Sequence, residues 1–269
     1  MTDGVALSIS QFLEAWRIFG RACPGSRVES HAGVDYMFTG LPIAFFNVAV
    51  LTADQVSASA LAASARGAMQ WASADKAGTP WLFIVTHDTL EPGTDAGAVL
   101  DGCGLMPLLP MTGMIARRVS PAATVPAGLQ LEVPEDDGGC CDIIDVNSAA
   151  YGMDLNASKK AFGRGSFWAD HMAVLGRAGG APVTSAAVML SGGHRYVALV
   201  ATQPTHQKRG FAEAAMRHAL NEAAAKFGER PSFLHATDAG QPIYARMGYE
   251  RVASHTCFID KRLLAGHTN

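Results

Sequence analysis

The chain has 269 residues, of which 49% are hydrophobic and 17% are charged, and its formal net charge is −3. This composition is typical of a compact globular protein and excludes an intrinsically disordered chain. The small net charge gives no electrostatic reason to expect a nucleic-acid partner. The length allows one large domain or two ordinary ones.

The cysteines and the apolar segments indicate where the protein works. The five cysteines follow neither a disulfide nor a metal-ligand spacing, so we expect reduced thiols, a cytoplasmic protein and no metal site. No basic segment precedes an apolar one at residues 1–4, and no signal peptide is predicted. The longest apolar run, residues 41–53, is too short to span a bilayer, which predicts no membrane partner.

The first half of the chain predicts alternating helices and strands. Spaced apolar residues indicate an opening amphipathic helix over residues 7–22. The elements predicted after it are strand 28–38, buried strand 43–51, helix 54–76 with Asp54 as its candidate N-cap, strand 80–86, helix 96–103 and strand 111–119. The Pro-, Gly- and Ala-rich residues 121–128 are interpreted as an interdomain linker.

The second half predicts a similar mixture. Its predicted elements are strand 129–133, helical material over 140–162, strands 171–176, 183–190 and 195–202, helix 211–227 and strand 232–237. The three central strands are separated by Gly-rich turns that are typical of hairpins. Apolar residues from Ala212 to Phe227 lie on one face of the long helix, and Gly228 is positioned as its C-terminal stop.

Residues 203–212 join an apolar strand to this long helix. Such a junction presents unpaired backbone N–H groups and the positive end of a helix dipole to an anion. Gly210 allows close approach of the main chain to a ligand, and Lys208 and Arg209 add positive charge. The segment therefore suits a pyrophosphate, although taken alone it also fits a basic surface turn. No G-x-x-x-x-G-K-[ST] sequence occurs, which excludes the common nucleoside triphosphate loop.

The spacing Gln-x-x-Gly-x-Ala at residues 207–212 resembles the acyl-CoA-binding loop of the GNAT family, the Gcn5-related N-acetyltransferases. The lead-in at 200–204 and the strand at 232–237 support the resemblance, and residues 241–249 resemble the family's Leu/Ile-Tyr-x-x-x-Gly-Phe/Tyr signature. Together these features extend it over roughly residues 129–260. The resemblance implies an α/β (α+β) fold in which a mixed, mostly antiparallel central sheet is flanked by helices.

The two halves also resemble each other, since both predict strand, helix, strand, short helix and strand in that order. We therefore predict two GNAT-like domains: a degenerate copy at residues 1–122 and a catalytic domain at 128–269. In the first copy, residues 51–54 lack both a glycine and a basic residue, and Leu100 stands where Tyr244 stands in the second. The first copy is therefore expected to bind no acyl-CoA and to shape the acceptor cleft.

The resemblance implies an acyl-CoA-dependent N-acyltransferase that works by direct transfer in a ternary complex, with acetyl-CoA as the expected co-substrate and no metal. The strand backbone at Val200, Ala201 and Thr202 would pair with the pantetheine arm, and the N–H near Val200 would polarise the acyl carbonyl. The pyrophosphate would be held by Gln207, Lys208, Arg209, Gly210, Phe211 and Ala212. Thr237 and Gly240 would line the pantetheine groove.

Tyr244 is the candidate catalytic residue, because the family tyrosine at this position can protonate the leaving thiolate. Its alternative is a helix tyrosine that packs on the sheet. The general base is left open among the nearby histidines and carboxylates: His171, His194, His206, His235, Asp154, Asp170 and Asp238. The acceptor is expected to be a small-molecule or peptide amine, and the protein a monomer or homodimer. The competing hypothesis is a CoA-binding sensor or interaction module with little turnover.

Overall fold

The computed structural model describes residues 1–74, 78–119 and 124–265. Its first elements are α1 (Asp3–Arg21), β1 (Arg27–His31), β2 (Val34–Phe38), β3 (Asn47–Leu51), α2 (Ala58–Ser73), β4 (Leu82–Thr86), α3 (Ala96–Asp101) and β5 (Leu105–Ala116). They are followed by β6 (Leu129–Glu132), α4 (Asp137–Tyr151), α5 (Leu155–Phe162), α6 (Gly165–Trp168), β7 (Met172–Ala178), β8 (Ala181–Ser191) and β9 (His194–Thr202). The last are α7 (Phe211–Phe227), β10 (Ser232–Ala236), α8 (Gln241–Arg246), β11 (Glu250–Asp260) and α9 (Lys261–Ala265).

The first of two compact units combines Met1–Met114 with His235–Pro242 and the C-terminal segment from Arg251. Its strands follow the order β1-β2-β3-β4-β11-β5. Strands β1, β2 and β3 are antiparallel neighbours, β3 and β4 are parallel, and β11 is antiparallel to β4. The core includes side chains of α2, α3 and this sheet. The last strand of the chain therefore completes the sheet of the first unit.

The second unit contains Ile115–Leu234 and Ile243–Glu250. Its strands follow the order β10-β9-β8-β7-β6, in which β6 to β9 are antiparallel neighbours and β9 and β10 are parallel. Helices α4 and α7 pack on β8 and β9. Five buried apolar residues of α7 are spaced as one helical face: Ala215, Met216, Ala219, Leu220 and Ala223.

Both units have a mixed, mostly antiparallel sheet flanked by helices, which confirms the predicted fold class. The chain contains the series strand, helix, parallel strand, short helix, strand twice, as β3-α2-β4-α3-β5 and as β9-α7-β10-α8-β11. The compact units differ from the predicted ranges 1–122 and 128–269, because β11 lies in the first unit. The assignment of catalysis to residues 128–269 stays a prediction. Residues 121–123 of the predicted linker lie outside the described residues.

The predicted strand 28–38 is wrong as a single element, because it is a hairpin of β1 and β2. The two residues between the strands, Ala32 and Gly33, have φ angles of 54° and 74°. Positive φ at both central residues is the geometry of a two-residue hairpin turn, and an alanine there is uncommon. This is why the turn escaped the sequence pattern.

The predicted strand 43–51 begins only at Asn47, after a 3₁₀ turn at Ala44–Phe46. Asn47 is fully buried. Its side-chain Oδ1 accepts the N–H of Thr39, and its Nδ2 donates to the carbonyl of Pro80. Because the buried Asn47 amide hydrogen-bonds backbone groups that are distant in sequence, it fixes the 3₁₀ turn before β3. A local apolar pattern does not reveal such partners.

The predicted helix 54–76 is also shorter, and Asp54 is not its N-cap. Helix α2 begins at Ala58, and the Ser57 hydroxyl accepts the N–H of Ala60 at 3.3 Å. Serine is as good an N-cap as aspartate, so Ser57 can begin the helix three residues after Asp54. Residues 75 and 76 lie outside the described residues.

Other elements lie close to their predicted positions, with two differences. The helical material over 140–162 is two helices, α4 and α5, because Gly152 has a φ of 63° and ends the first of them. Strand β5 begins earlier than the predicted 111–119 and ends at Ala116. Helix α7 has the predicted bounds.

Two histidines, His255, which is buried, and His235, which is half-buried, meet at Ser8 within the first unit. The Nε2 atoms of His235 and His255 lie 3.0 Å and 2.9 Å from the Ser8 Oγ. The Nδ1 of His255 lies 2.9 Å from the Thr86 Oγ1. Gly113 leaves room for this cluster, since a Cβ there would collide with the serine hydroxyl. Burial lowers the pKa of His255 to about 4 and holds that of His235 well below its ordinary value.

These shifts predict that the protein loses stability in mild acid. In the unfolded chain, His255 binds a proton below the ordinary histidine pKa of 6.5. In the folded protein it does so only when the pH approaches its lowered pKa of about 4. The free energy of unfolding should therefore fall as the pH drops through this window, by up to about 1.4 kcal/mol per pH unit for each histidine. Urea unfolding at several pH values measures the slope. His255→Gln should flatten it, and an equal slope in both proteins would contradict the assignment.

Candidate functional site

Strands β9 and β10 pair at only one end. Their register comprises Ser232 opposite Arg195 and Phe233 opposite Tyr196, and among the described residues it goes no further. Beyond it, residues 198–200 of β9 are partly exposed, although the residues on either side are buried. This interior strand therefore has accessible residues in its middle, in the stretch that does not pair with β10.

A β-bulge lies in this part of β9. Ser185 of β8 is opposite Ala201, and Ala187 is opposite Ala198, so Leu199 and Val200 together face one residue of β8. Leu199 has a φ of 50°, in the left-handed region that non-glycine residues seldom adopt. Strained backbone of this kind is concentrated at functional sites.

The loop after β9 ends at Gly210, the N-cap of α7. Gly210 has a φ of 77°, and no side-chain cap occupies the helix start among the described residues. The first bond of the helix runs from the Ala214 N–H to the Gly210 carbonyl at 3.1 Å. The N–H groups of the three residues between them therefore have no partner within the helix. Gln207 to Gly210 are all exposed.

The charges around this helix start favour an anion. Lys208 and Arg209 are exposed beside it. The one acid of the first turn, Glu213, is paired with Arg217 at 2.9 Å and with Arg246 at 3.4 Å. Because two guanidinium groups face this carboxylate, it does not oppose an incoming phosphate. The helix dipole and the exposed cations act in the same direction.

The other predicted residues of this segment anchor the loop. Phe211 is buried against Leu129 and Val183, and Ala212 follows it in the first turn of α7. The Thr202 carbonyl accepts a hydrogen bond from Gln207 Nε2 at 3.4 Å. The structure thus places Val200, Ala201, Thr202 and residues 207–212 within the second unit.

Tyr244 lies on α8 and is half-buried. Its ring centroid is 6.1 Å from that of Tyr249, whose hydroxyl shares a hydrogen bond with Ser232. Burial first, and then the charges that Tyr151 and Tyr249 would carry, raise the pKa of Tyr244 well above its usual range. Its phenol therefore stays protonated at neutral and mildly alkaline pH and acts as a hydrogen-bond donor.

Thr237 and Gly240 form the turn that precedes α8. The Thr237 carbonyl accepts the N–H groups of Gly240 at 2.9 Å and Gln241 at 3.1 Å. Both residues belong to the segment that clusters with the first unit. Their role in a pantetheine groove stays a prediction.

Tyr151 is a candidate site residue that the sequence patterns missed. Its hydroxyl donates to the Val200 carbonyl in the bulge, at 2.5 Å. The same side chain lies near enough to Tyr244 for its charge to affect the pKa of that residue. A tyrosine at a helix C-terminus carries no local signal of a partner forty-nine residues away.

Several candidate bases have structural partners instead. Asp154 caps α5 through the Ala157 N–H, Asp238 accepts from Gln241, and His235 is bonded to Ser8.

Among the described residues, no group of three or more His, Cys, Asp or Glu side chains could hold a metal ion. In the same part of the chain, no helix combines the length and apolar character needed to cross a membrane.

Residues 193–252 match the family model described as "Acetyltransferase (GNAT) domain". This range spans β9, the loop at residues 203–210, α7, β10, α8 and the start of β11. This part of the chain is similar to a GNAT domain. The family predicted from the loop is thereby confirmed, and no curated protein matches the chain.

Solved structures extend the likeness to almost the whole chain. A GCN5-related N-acetyltransferase from Kribbella flavida is 19% identical, with a TM-score of 0.70 over 97% of this chain and 96% of that one. A tandem GNAT protein from the clavulanic acid biosynthesis pathway is 10% identical, with a TM-score of 0.53 over 95% of this chain and 93% of that one. At these identities the likeness establishes the fold, and a tandem GNAT arrangement agrees with the repeated series of elements.

Proposed function

We propose that the protein is an acyl-CoA-dependent N-acyltransferase that transfers an acetyl group from acetyl-CoA to a small-molecule or peptide amine. The observation that carries this proposal is the opening of β9 in a strand that leads directly to the uncapped start of α7. The unpaired backbone of β9 can hydrogen-bond the amide groups of an extended pantetheine arm. The start of α7 suits the pyrophosphate of the same molecule. The GNAT fold supports acyl transfer in general.

The protein's contribution to the reaction is binding, orientation and hydrogen bonding. Backbone groups of Val200, Ala201 and Thr202 would align the pantetheine arm, and the exposed residues 207–210 with the first turn of α7 would hold the phosphates. The amine nitrogen attacks the thioester carbon directly within a ternary complex, the C–S bond breaks, and the amine loses a proton to water or a base. Alignment of both reactants accelerates such a transfer, because a bimolecular step becomes effectively unimolecular.

Tyr244 is proposed as the donor to the departing thiolate. Because its pKa lies well above that of an ordinary thiol, about 8.5, complete proton transfer is uphill at the start of the reaction. A hydrogen bond from the phenol still stabilises negative charge as it develops on sulfur. In this role the Tyr244 phenol donates a hydrogen bond and does not have to lose its proton.

The segment of residues 1–122 is proposed to bind no acyl-CoA. Its corresponding helix, α2, is capped by its own Ser57 hydroxyl, and the preceding residues 51–54 contain no glycine or basic residue. Leu100, in the position of Tyr244, is completely buried and has no polar group. A helix start that is already capped and lacks cations is a poor phosphate site.

The test is release of free thiol from acetyl-CoA in the presence of a panel of amines. The proposal expects thiol release that depends on one class of amine and a stoichiometric amount of acetylated product. Tight acetyl-CoA binding without turnover on any amine would favour the CoA-binding sensor instead. Failure to bind acetyl-CoA would overturn both functions.

A further inference from the structure

Three consecutive carbonyls at the bulge of β9 each accept a hydrogen bond from a side-chain hydroxyl. The Leu199 carbonyl accepts from Ser185 Oγ at 3.1 Å, and the Val200 carbonyl from Tyr151. The Ala201 carbonyl accepts from Thr184 Oγ1 at 2.8 Å. Side chains therefore fix this segment at the point where the strand ladder is broken.

The Ser185 hydroxyl is itself oriented by a buried amide. Asn147 Nδ2 donates to Ser185 Oγ at 2.9 Å and to the Ile143 carbonyl at 2.9 Å. Both side chains are completely buried. Since the serine oxygen accepts from Asn147, its single proton is directed to the Leu199 carbonyl.

This contact sets the direction of the next N–H group. In a trans peptide, the C=O and N–H of one plane point to opposite sides. Ser185 holds the Leu199 carbonyl on the side of β8, so the Val200 N–H points away from β8, towards the side on which β9 lacks a partner. The left-handed backbone at Leu199 is strained, and contacts such as this one must offset the strain.

We propose that Ser185 and Asn147 are positioning residues that aim the Val200 N–H at the acyl carbonyl of the bound thioester. This inference rests on the proposed function. Neither residue touches the substrate, and both act through the peptide between Leu199 and Val200. An N–H that is oriented before the reaction stabilises the developing oxyanion without reorganisation.

The test combines kinetics with the infrared carbonyl stretch of bound, isotope-labelled acetyl-CoA. Ser185→Ala should lower kcat by about 10²–10³-fold, as expected for a lost oxyanion donor, with little change in acetyl-CoA affinity. The thioester carbonyl stretch, lowered in the wild type, should return towards its value in free acetyl-CoA. Asn147→Leu should have the same effects to a smaller degree. Ser185→Thr keeps the hydroxyl, so its kcat and its carbonyl stretch should be close to those of the wild type.

Ser191→Ala is the matched control, because Ser191 is a buried serine of the same strand whose Oγ has no hydrogen-bond partner among the described residues. It should leave kcat and the carbonyl stretch unchanged. Wild-type values of both in Ser185→Ala and Asn147→Leu would overturn the positioning role. A wild-type protein that neither binds nor acetylates would instead overturn the proposed function.

Discussion

Gly210→Glu is expected to abolish acetyl-CoA binding and to leave the protein folded. The new carboxylate would stand at the helix start proposed to hold the pyrophosphate. Two unit charges of the same sign 4 Å apart repel by about 4 kcal/mol near a protein surface, which corresponds to a loss of affinity on the order of 10³-fold. The fold should tolerate the change, because a Cβ would lie 3.6 Å from Pro126, an ordinary contact. The positive φ adds about 1–2 kcal/mol of strain.

Gly210→Gln separates charge from size and strain. It places a side chain of the same shape at the same backbone angle without the negative charge, so its affinity should lie between those of the wild type and Gly210→Glu. Isothermal calorimetry with acetyl-CoA measures all three, with circular dichroism to verify folding. Normal binding by folded Gly210→Glu would remove the loop from the cofactor site.

Tyr244→Phe is expected to lower kcat by about 10²–10⁴-fold with acetyl-CoA affinity nearly unchanged. The change removes only the hydroxyl, so the packing of the half-buried ring is preserved. Because burial raises the pKa of Tyr244, the wild-type phenol should remain a donor throughout the assay range. The effect should therefore not depend on pH between neutral and mildly alkaline conditions.

Tyr249→Phe is the matched control for this variant. Tyr249 lies between α8 and β11, is buried, and shares a hydrogen bond with the Ser232 hydroxyl. Its loss should cost about 1 kcal/mol of stability and leave kcat unaffected. An unaltered kcat in Tyr244→Phe, measured where chemistry limits the rate, would assign Tyr244 to packing alone.

The parts of the site that could be predicted from the sequence depend on local patterns. The apolar stripe from Ala212 to Phe227 fixed the bounds of α7, and Gly210 identified the start of that helix. Both signals arise from residues within a few positions of the feature they describe. The same holds for the hairpins of β7, β8 and β9, whose turns are rich in glycine.

The parts that could not be predicted depend on distant partners. The bulge at Leu199 is held by Ser185 and Tyr151, and neither the serine nor the tyrosine belongs to a recognisable motif. Likewise, β11 belongs to the first unit although it lies at the end of the chain. Nothing in an alternating apolar pattern states which strand will be its neighbour.

The most direct test of the account is the number of acetyl-CoA molecules that one chain binds. The intact protein must be used, because a chain of residues 1–122 would lack β11 and with it part of the first unit. Equilibrium titration should give one site per chain in the wild type and none in Gly210→Glu. Two sites of similar affinity, or a site that survives in Gly210→Glu, would contradict the claim that the chain has one acyl-CoA site, at the start of α7.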